Sequence, residues 1–125
     1  MLFDTNILIW VERGNEKAAH VVSSSDERYI SIQTYMELLQ GATNRKQAEI
    51  LKSFLSEHDF QILPFTENIG HRASIYIEEY AIPSGVRVGD AIIAATATEN
   101  NLILATGNHK HFKPIKDLKV HLFRP

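Results

Sequence analysis

Three acidic residues occupy positions where a solvated surface carboxylate is not expected. Asp4 interrupts an apolar run that resumes at Ile7, Glu37 is bracketed by bulky apolar residues, and Asp90 opens a segment rich in Ala and Ile. Burying a lone carboxylate costs several kcal/mol unless it is paired or binds a cation. Each residue also has an ordinary explanation, as a helix cap, as part of a helix's polar margin or as a charge that complements a helix dipole. The choice depends on whether the fold brings the three side chains together.

The elements that would position these residues follow from the alternation of apolar and polar segments. The pattern predicts strands that end at Asp4 and span 29–32, 60–63, 102–105 and 120–123, with loops at 82–85 and 106–113. It predicts helices over 7–11, 16–23, 33–40, 45–58, 66–80 and 88–100. Thr5 or Asn6 is the expected cap of the first helix, and Gly41 is expected to end the third. Strands that alternate with helices favour a parallel sheet with helices on both faces.

In such a sheet the three carboxylates gather at one edge. Asp4 ends the first strand, Glu37 lies on the helix after the second strand, and Asp90 begins the helix that leads into a later strand. The carboxyl ends of parallel strands meet at one edge, where the ligand sites of open α/β sheets lie. Three adjacent carboxylates repel one another unless a positive charge joins them. Oxygen ligands of this kind predict a hard divalent ion, Mg²⁺ or Mn²⁺.

A polar segment after the fourth predicted strand would reach the same edge. Thr106 and Asn108 bring a hydroxyl and an amide there. His109 and His111 follow, but they lack the spacing of a zinc site, and the sequence contains no Cys to complete one. These two histidines are therefore predicted to be surface residues.

Four segments together resemble the PIN-domain family, specifically the VapC-type toxins of bacterial toxin–antitoxin pairs. They are Asp4-Thr5-Asn6, residues 31–41 around Glu37, residues 89–97 with Asp90, and residues 106–112. They occur in the family's order and spacing along the whole chain, so residues 1–125 are predicted to form a single PIN domain. The resemblance implies a PIN-like three-layer α/β/α sandwich around a central, mostly parallel sheet of about five strands.

The same resemblance implies an activity and its partners. The activity is that of a Mg²⁺- or Mn²⁺-dependent endoribonuclease, which hydrolyses RNA phosphodiester bonds and leaves a 5′-phosphate and a 3′-hydroxyl. The implied assembly is a homodimer that a cognate antitoxin inhibits, as a heterotetramer or a larger complex. The RNA substrate would be of the tRNA or rRNA class.

The resemblance also assigns roles residue by residue. Asp4, Glu37 and Asp90 take the places of the family's metal-binding acids, and Asn108 completes the predicted catalytic set. Asn108 and His111 stand where the family often has further acids, which lowers the charge available for a second metal ion. The remaining predicted site residues are Thr5, Asn6 and Thr106 in supporting positions and Arg87, Lys110, Arg45 and Lys46 as RNA contacts.

The composition is that of an ordinary globular protein and gives no global signal for nucleic-acid binding. The chain is 44% hydrophobic and 22% charged, with 13 basic against 15 acidic residues, so an RNA contact needs a local basic patch or a bound cation. The absence of Cys excludes disulfides and thiolate metal sites. Together with the lack of a membrane span or a signal-peptide pattern, it predicts a cytoplasmic protein.

Two alternative functions stay open at this point. A non-catalytic PIN-like binding module would keep the partner surface without turnover, and Asn108 in place of an acid favours it. A phosphorelay receiver domain has a similar length and an acidic Mg²⁺ cluster. That chemistry needs an Asp at the end of the central strand, however, and residues 60–65 contain none.

Overall fold

The computed structural model describes residues 1–125, in which five strands alternate with seven helices. None of the helices is long and apolar enough to cross a membrane. In chain order the elements are β1 (Leu2–Phe3), α1 (Thr5–Glu12), α2 (Glu16–Ser23), β2 (Arg28–Ser31), α3 (Ile32–Gln40), α4 (Arg45–Glu57), β3 (Phe60–Leu63), α5 (Glu67–Ser84), α6 (Val88–Glu99), β4 (Leu104–Thr106), α7 (His109–Phe112) and β5 (Val120–Leu122).

The five strands form one parallel sheet in the order β3-β2-β1-β4-β5. The central strand is β1, whose Leu2 pairs with Tyr29 of β2 and with Leu104 of β4. Because all strands run in the same direction, the segments that follow β2, β1 and β4 lie side by side at the carboxyl edge. Asp4 and Thr106 therefore stand on neighbouring strands at this edge.

Alternating side chains of the central strand belong to two separate cores. Leu2 belongs to a core of 14 buried residues shared with α5, α6 and α7. Phe3 belongs to a core of 10 buried residues shared with α1, α2, α3 and α4. Successive residues of a strand point to opposite faces, so helices cover the sheet on both sides. The structure is a three-layer α/β/α sandwich with an entirely parallel sheet, which confirms the predicted fold class.

Polar residues at the helix starts explain where several helices begin. The side chains of Asn15, Ser31, Asn44 and Thr66 each accept the backbone N–H three residues further on. A cap of this kind contributes about 1 kcal/mol relative to Ala. Ser31 is also the last residue of β2, so this strand passes directly into α3.

The start of α1 confirms the ordinary explanation of Asp4 as a helix cap. Asp4, rather than Thr5 or Asn6, is the N-cap, and its Oδ1 accepts the Thr5 N–H at 2.8 Å. The reason is the brevity of β1, which has two residues, so the helix begins directly after the carboxylate. Asp4 therefore caps α1 and faces the sheet edge at the same time.

Two segments predicted to be loops are helical. Helix α5 continues through Pro83, and the left-handed Gly85, at φ 70°, ends it by donating its N–H to the Ala81 carbonyl at 2.9 Å. Helix α7 has Phe112 as its only buried side chain, so its sequence shows no apolar periodicity. Gly41 follows α3 as predicted, but its φ of −76° is one that any residue adopts.

Candidate functional site

Asp4 is the only buried acidic residue of the chain, with 6% of its surface exposed. Its Oδ1 accepts the Thr5 N–H, and its Oδ2 accepts the Thr106 hydroxyl at 2.7 Å. Burial raises the pKa of Asp4 to about 6, since loss of solvent disfavours the charged form. The two hydrogen bonds oppose this rise in pKa, and the charges of Asp90 and Glu37 add to it. The three predicted acids are therefore close enough to act on one another electrostatically.

Glu37 reaches the same edge from α3 and is oriented by a chain of hydroxyl groups. Thr5 Oγ1 donates to Glu37 Oε1 at 2.7 Å and lies 3.1 Å from Thr34 Oγ1. Ser31 Oγ donates to Thr34 Oγ1 at 3.3 Å, and both of these residues are fully buried. A hydroxyl carries one proton, so Thr5 can donate to Glu37 only when Thr34 donates to Thr5. All three hydroxyl protons then point along the chain towards the carboxylate.

Asp90 lies in the first turn of α6 and is joined to Asp4 by a continuous set of polar contacts. Its Oδ2 is 3.1 Å from Nδ1 of His111. The same Nδ1 lies 2.8 Å from Nδ2 of Asn108, whose backbone N–H donates to Thr106 Oγ1 at 2.9 Å. Because Thr106 in turn donates to Asp4, the network couples the end of β4 to the starts of α1 and α6.

Two close approaches hold these segments together. A Cβ at Gly89 would lie 3.4 Å from Nε2 of Gln33 and 3.7 Å from Oε2 of Glu37, so the start of α6 packs directly against side chains of α3. Asn6 Oδ1 accepts the Gly107 N–H at 3.2 Å, which ties α1 to the loop after β4. The neutral side chain of Asn6 thus joins two segments of the site.

The acids do not form a closed cage. No group of three or more His, Asp or Glu side chains is arranged to enclose a metal ion. Each carboxylate is held by its own partner, which is a Thr hydroxyl for Asp4 and Glu37 and the His111 ring for Asp90. The salt bridges of Lys and Arg all lie elsewhere. The site thus combines three carboxylates with neutral donors and an imidazole, and it lacks a Lys or Arg counter-charge.

The predicted RNA-contact residues divide into two groups. Arg87 is the N-cap residue of α6, three positions before Asp90, and Lys110 lies on α7; both are exposed. Arg45 and Lys46 begin α4 and are also exposed. Arg45 lines a separate surface cavity of about 570 Å³ that none of the three acids lines. Arg87 and Lys110 are therefore the two basic candidates on elements that carry the site.

Sequence reasoning gave no role to two polar side chains of this region and missed the contact of a third. Ser31 and Thr34 precede Glu37 at successive intervals of three residues, which places Thr34 on the same helix face as Glu37 and is a readable signal. His111 was placed where the family often has an acid but was predicted to be a surface residue, because its contact with Asp90 depends on α7, where a loop was predicted.

Comparison with known proteins decides the family. The PIN domain family model matches residues 1–117. The chain belongs to the PIN-domain family. Ribonuclease VapC10 of Mycobacterium tuberculosis is 32% identical, over 95% of this chain and 90% of that protein. Ribonuclease VapC of Rickettsia bellii is 33% identical, over 96% of this chain and 93% of that protein.

Solved structures share the architecture of this PIN domain. A toxin–antitoxin complex from Klebsiella pneumoniae matches with a TM-score of 0.81 and 34% identity, covering 94% of this chain and 93% of that one. VapBC-1 from nontypeable Haemophilus influenzae matches with a TM-score of 0.81 and 28% identity, covering 97% and 96%. The resemblance to VapC-type PIN domains is thereby confirmed, and the receiver-domain alternative is wrong.

Proposed function

We propose that residues 1–125 form one PIN domain that acts as a divalent-metal-dependent endoribonuclease, the toxin of a type II toxin–antitoxin pair. The observation that carries this proposal is the convergence of Asp4, Glu37 and Asp90 at the carboxyl edge of the sheet without a Lys or Arg counter-charge. The two relatives named as VapC ribonucleases, which this chain matches over at least 90% of their length, support the activity.

The donor set fits a hard divalent ion. Asp4, Glu37 and Asp90 would hold the ion, and Asn108 would add an amide oxygen, a ligand type that suits Mg²⁺ and Mn²⁺. Such an ion polarises a phosphodiester and lowers the pKa of water. The raised pKa of Asp4 reflects burial and the charges of two nearby acids. A cation would offset both contributions, because an opposite charge favours the ionised carboxylate.

The remaining side chains would position the acids and the RNA. Thr106 and Thr5 hold one carboxylate oxygen each of Asp4 and Glu37, so the lone pairs that stay free keep fixed directions. Asn6 would hold the loop after β4 against α1. Phosphate groups of the RNA would contact Arg87 and Lys110 near the acids and Arg45 and Lys46 further away, so activity would fall as salt rises.

The proposal includes a protein partner. The similar structure from Klebsiella pneumoniae is a toxin–antitoxin complex, and the one from Haemophilus influenzae is VapBC-1. By that likeness, this chain would form a homodimer and bind a cognate antitoxin in a heterotetramer or a larger assembly. The RNA that it cuts would be of the tRNA or rRNA class.

A non-catalytic PIN-like binding module is the second candidate. Asn108 favours it, since an amide at this position leaves the site with one negative charge fewer than a carboxylate would. The two functions differ in turnover. A binding module would bind its protein partner and leave RNA intact at every concentration of Mg²⁺ or Mn²⁺.

The test combines metal binding with cleavage. A ligand at a hundredfold excess over its Kd stabilises the native state by about 2.7 kcal/mol, which raises the Tm of a domain of this size by about 10 °C. We expect a saturable rise of this kind with Mn²⁺ in the wild type and in Glu57→Gln, an exposed control at the end of α4, but not in Glu37→Gln. RNA cleavage should need the same metal and should also be lost in Glu37→Gln.

Other outcomes point elsewhere. An equal rise in Tm for Glu37→Gln would place the metal site away from this carboxylate. A metal-dependent rise in Tm with no cleavage of tRNA or rRNA would identify the binding module.

A further inference from the structure

His111 is the one ring side chain with a polar contact to any of the three acids, and that acid is Asp90. His111 lies on α7, and 40% of its side chain is exposed. Its Nδ1 faces inward, 3.1 Å from Asp90 Oδ2 and 2.8 Å from the side-chain nitrogen of Asn108. His109, two residues earlier on the same short helix, is exposed and makes no side-chain contact with the acids.

The two contacts of His111 Nδ1 require opposite protonation states of this nitrogen. A proton on Nδ1 suits the carboxylate of Asp90 but opposes the N–H groups of the Asn108 amide. A bare Nδ1 accepts from Asn108 but then directs its lone pair at a carboxylate oxygen. No placement of the proton satisfies both neighbours in this arrangement.

Rotating the Asn108 side-chain amide by about 180°, which exchanges its oxygen and nitrogen atoms, removes this incompatibility. The amide oxygen then takes the place of Nδ2, and no other side-chain contact of Asn108 is lost. Two oxygen acceptors, Asp90 Oδ2 and Asn108 Oδ1, then lie beside His111 Nδ1, at 3.1 Å and 2.8 Å. This arrangement needs a positive charge between the three atoms, which is either one shared proton or one cation.

The charge of the site favours a cation, because one shared proton cancels a single negative charge whereas three acids meet here without a Lys or Arg. Adjacent ligands of an octahedral ion, at about 2.1 Å from the metal, lie about 3.0 Å from each other. The observed separations of 3.1 Å and 2.8 Å lie in the ordinary hydrogen-bond range and also fit this edge length, so the ion would need no rearrangement of these three groups. We propose that His111 Nδ1 is a direct ligand of the divalent ion, beside Asp90 Oδ2 and the Asn108 amide oxygen.

This inference rests on the proposed metal-dependent nuclease, and it adds a metal preference. Mg²⁺ binds oxygen ligands almost exclusively, whereas imidazole suits transition metals. A nitrogen donor in the site therefore favours Mn²⁺ over Mg²⁺. Replacing His111 with Asp supplies an oxygen donor instead and should shift the ratio of the two Kd values towards Mg²⁺ by about tenfold or more.

The decisive experiment uses the paramagnetism of Mn²⁺. In the full chain loaded with Mn²⁺, electron spin echo modulation should show a directly bound ¹⁴N in the wild type and in the matched control His109→Asp. The ¹⁴N modulation should be absent in His111→Asp, although this variant still binds Mn²⁺. If His111→Asp fails to fold, the wild type labelled with ¹⁵N-histidine supplies the test, since its modulation must change to the ¹⁵N pattern.

The possible failures are distinguishable. Mn²⁺ bound without nitrogen modulation would overturn the inference and leave His111 as a positioning residue for Asp90, while the metal-dependent nuclease stands. Nitrogen modulation that persists in His111→Asp would also overturn it. A wild type that binds no Mn²⁺ would remove the proposed metal site and this ligand together.

Discussion

Two polar clusters of this molecule use charge in opposite ways. Between α5 and α6, Arg72 contacts Glu99 and, at 2.7 Å, Asp117, whose other oxygen accepts the Tyr76 hydroxyl at 2.9 Å. There a positive group stands among the acids. At the carboxyl edge of the sheet, hydroxyls, amides and an imidazole hold three acids without any Lys or Arg. The Arg72 cluster lines a cavity of about 440 Å³, so a cavity does not by itself mark a functional site.

The difference separates a structural network from the proposed ligand site. A carboxylate paired with Arg has its charge balanced in the native state itself. Like charges held together without a partner raise the free energy of the native state until a cation binds. Asp4, with its pKa raised to about 6, belongs to the second kind. The missing counter-charge therefore indicates function more reliably than the number of acids does.

The largest effect is expected from Asp4→Asn. Because the folded pKa of Asp4 lies above its ordinary value of 3.8, the native state binds this proton more tightly than the unfolded chain does. Protonated Asp4 makes its full contribution to the free energy of unfolding below pH 3.8. This contribution, about 3 kcal/mol, is lost as the pH rises through 6. Urea unfolding in the presence of a chelator measures this effect. The free energy of unfolding of the wild type should fall with rising pH relative to that of Asp4→Asn, whose amide oxygen can still cap α1.

The control for this prediction is Asp26→Asn, which changes an exposed carboxylate. It should follow the wild-type pH dependence. If the free energies of unfolding of the wild type and Asp4→Asn depended on pH in the same way, ionised Asp4 would not destabilise the native state. Saturating Mn²⁺ should reverse the order of stability at pH 7, since Asp4→Asn removes a ligand of the proposed site.

A smaller effect is expected from Arg72→Met. The change leaves Glu99, with 22% of its side chain exposed, and Asp117 without their common partner, which should lower the free energy of unfolding by about 1–2 kcal/mol. The rise in Tm with Mn²⁺ should stay the same as in the wild type. A weaker response of Arg72→Met to Mn²⁺ would mean that the two clusters are energetically coupled.

The smallest effect on stability is expected from Thr34→Val, about 1 kcal/mol from the loss of one buried hydroxyl. This change breaks the hydroxyl chain that orients Glu37, so Mn²⁺ affinity should fall about tenfold. Thr96→Val is the matched control, because Thr96 is equally buried and donates to the Ile92 carbonyl at 2.7 Å. Isothermal calorimetry of both variants measures the difference, and equal affinities would remove Thr34 from the site.

The sequence predicted the layers of the fold and the edge where the acids meet, because both depend on the order of apolar and polar segments. Alternating strands and helices dictate a parallel sheet, and this places Asp4 and Thr106 on one edge. The details that failed depend on local competition. Asp4, rather than its neighbours, caps α1 because β1 is so short, and Gly85 outweighs Pro83 in ending α5.

The hydrogen-bond partners of the acids could be predicted less well than the acids themselves. The contact between His111 and Asp90 needs α7 to form and to pack against α6, and a single buried Phe112 gives no periodic signal for that helix. Thr34 could have been found from its spacing to Glu37. Its link to Thr5, however, crosses between two helices, and sequence spacing does not describe such a contact.

The hydrogen bond from Thr106 to Asp4 joins residues that are 102 positions apart. At a synthesis rate of about 5–20 residues per second, roughly 5–20 s pass between the addition of Asp4 and that of Thr106. During this interval the nascent chain contains Asp4, but it lacks β4, the strand that pairs with β1 and supplies Thr106. Closing a loop of this length also costs conformational entropy, which slows the formation of the contact. The site therefore assembles only after β4 has left the ribosome, and no fragment that stops before β4 contains it.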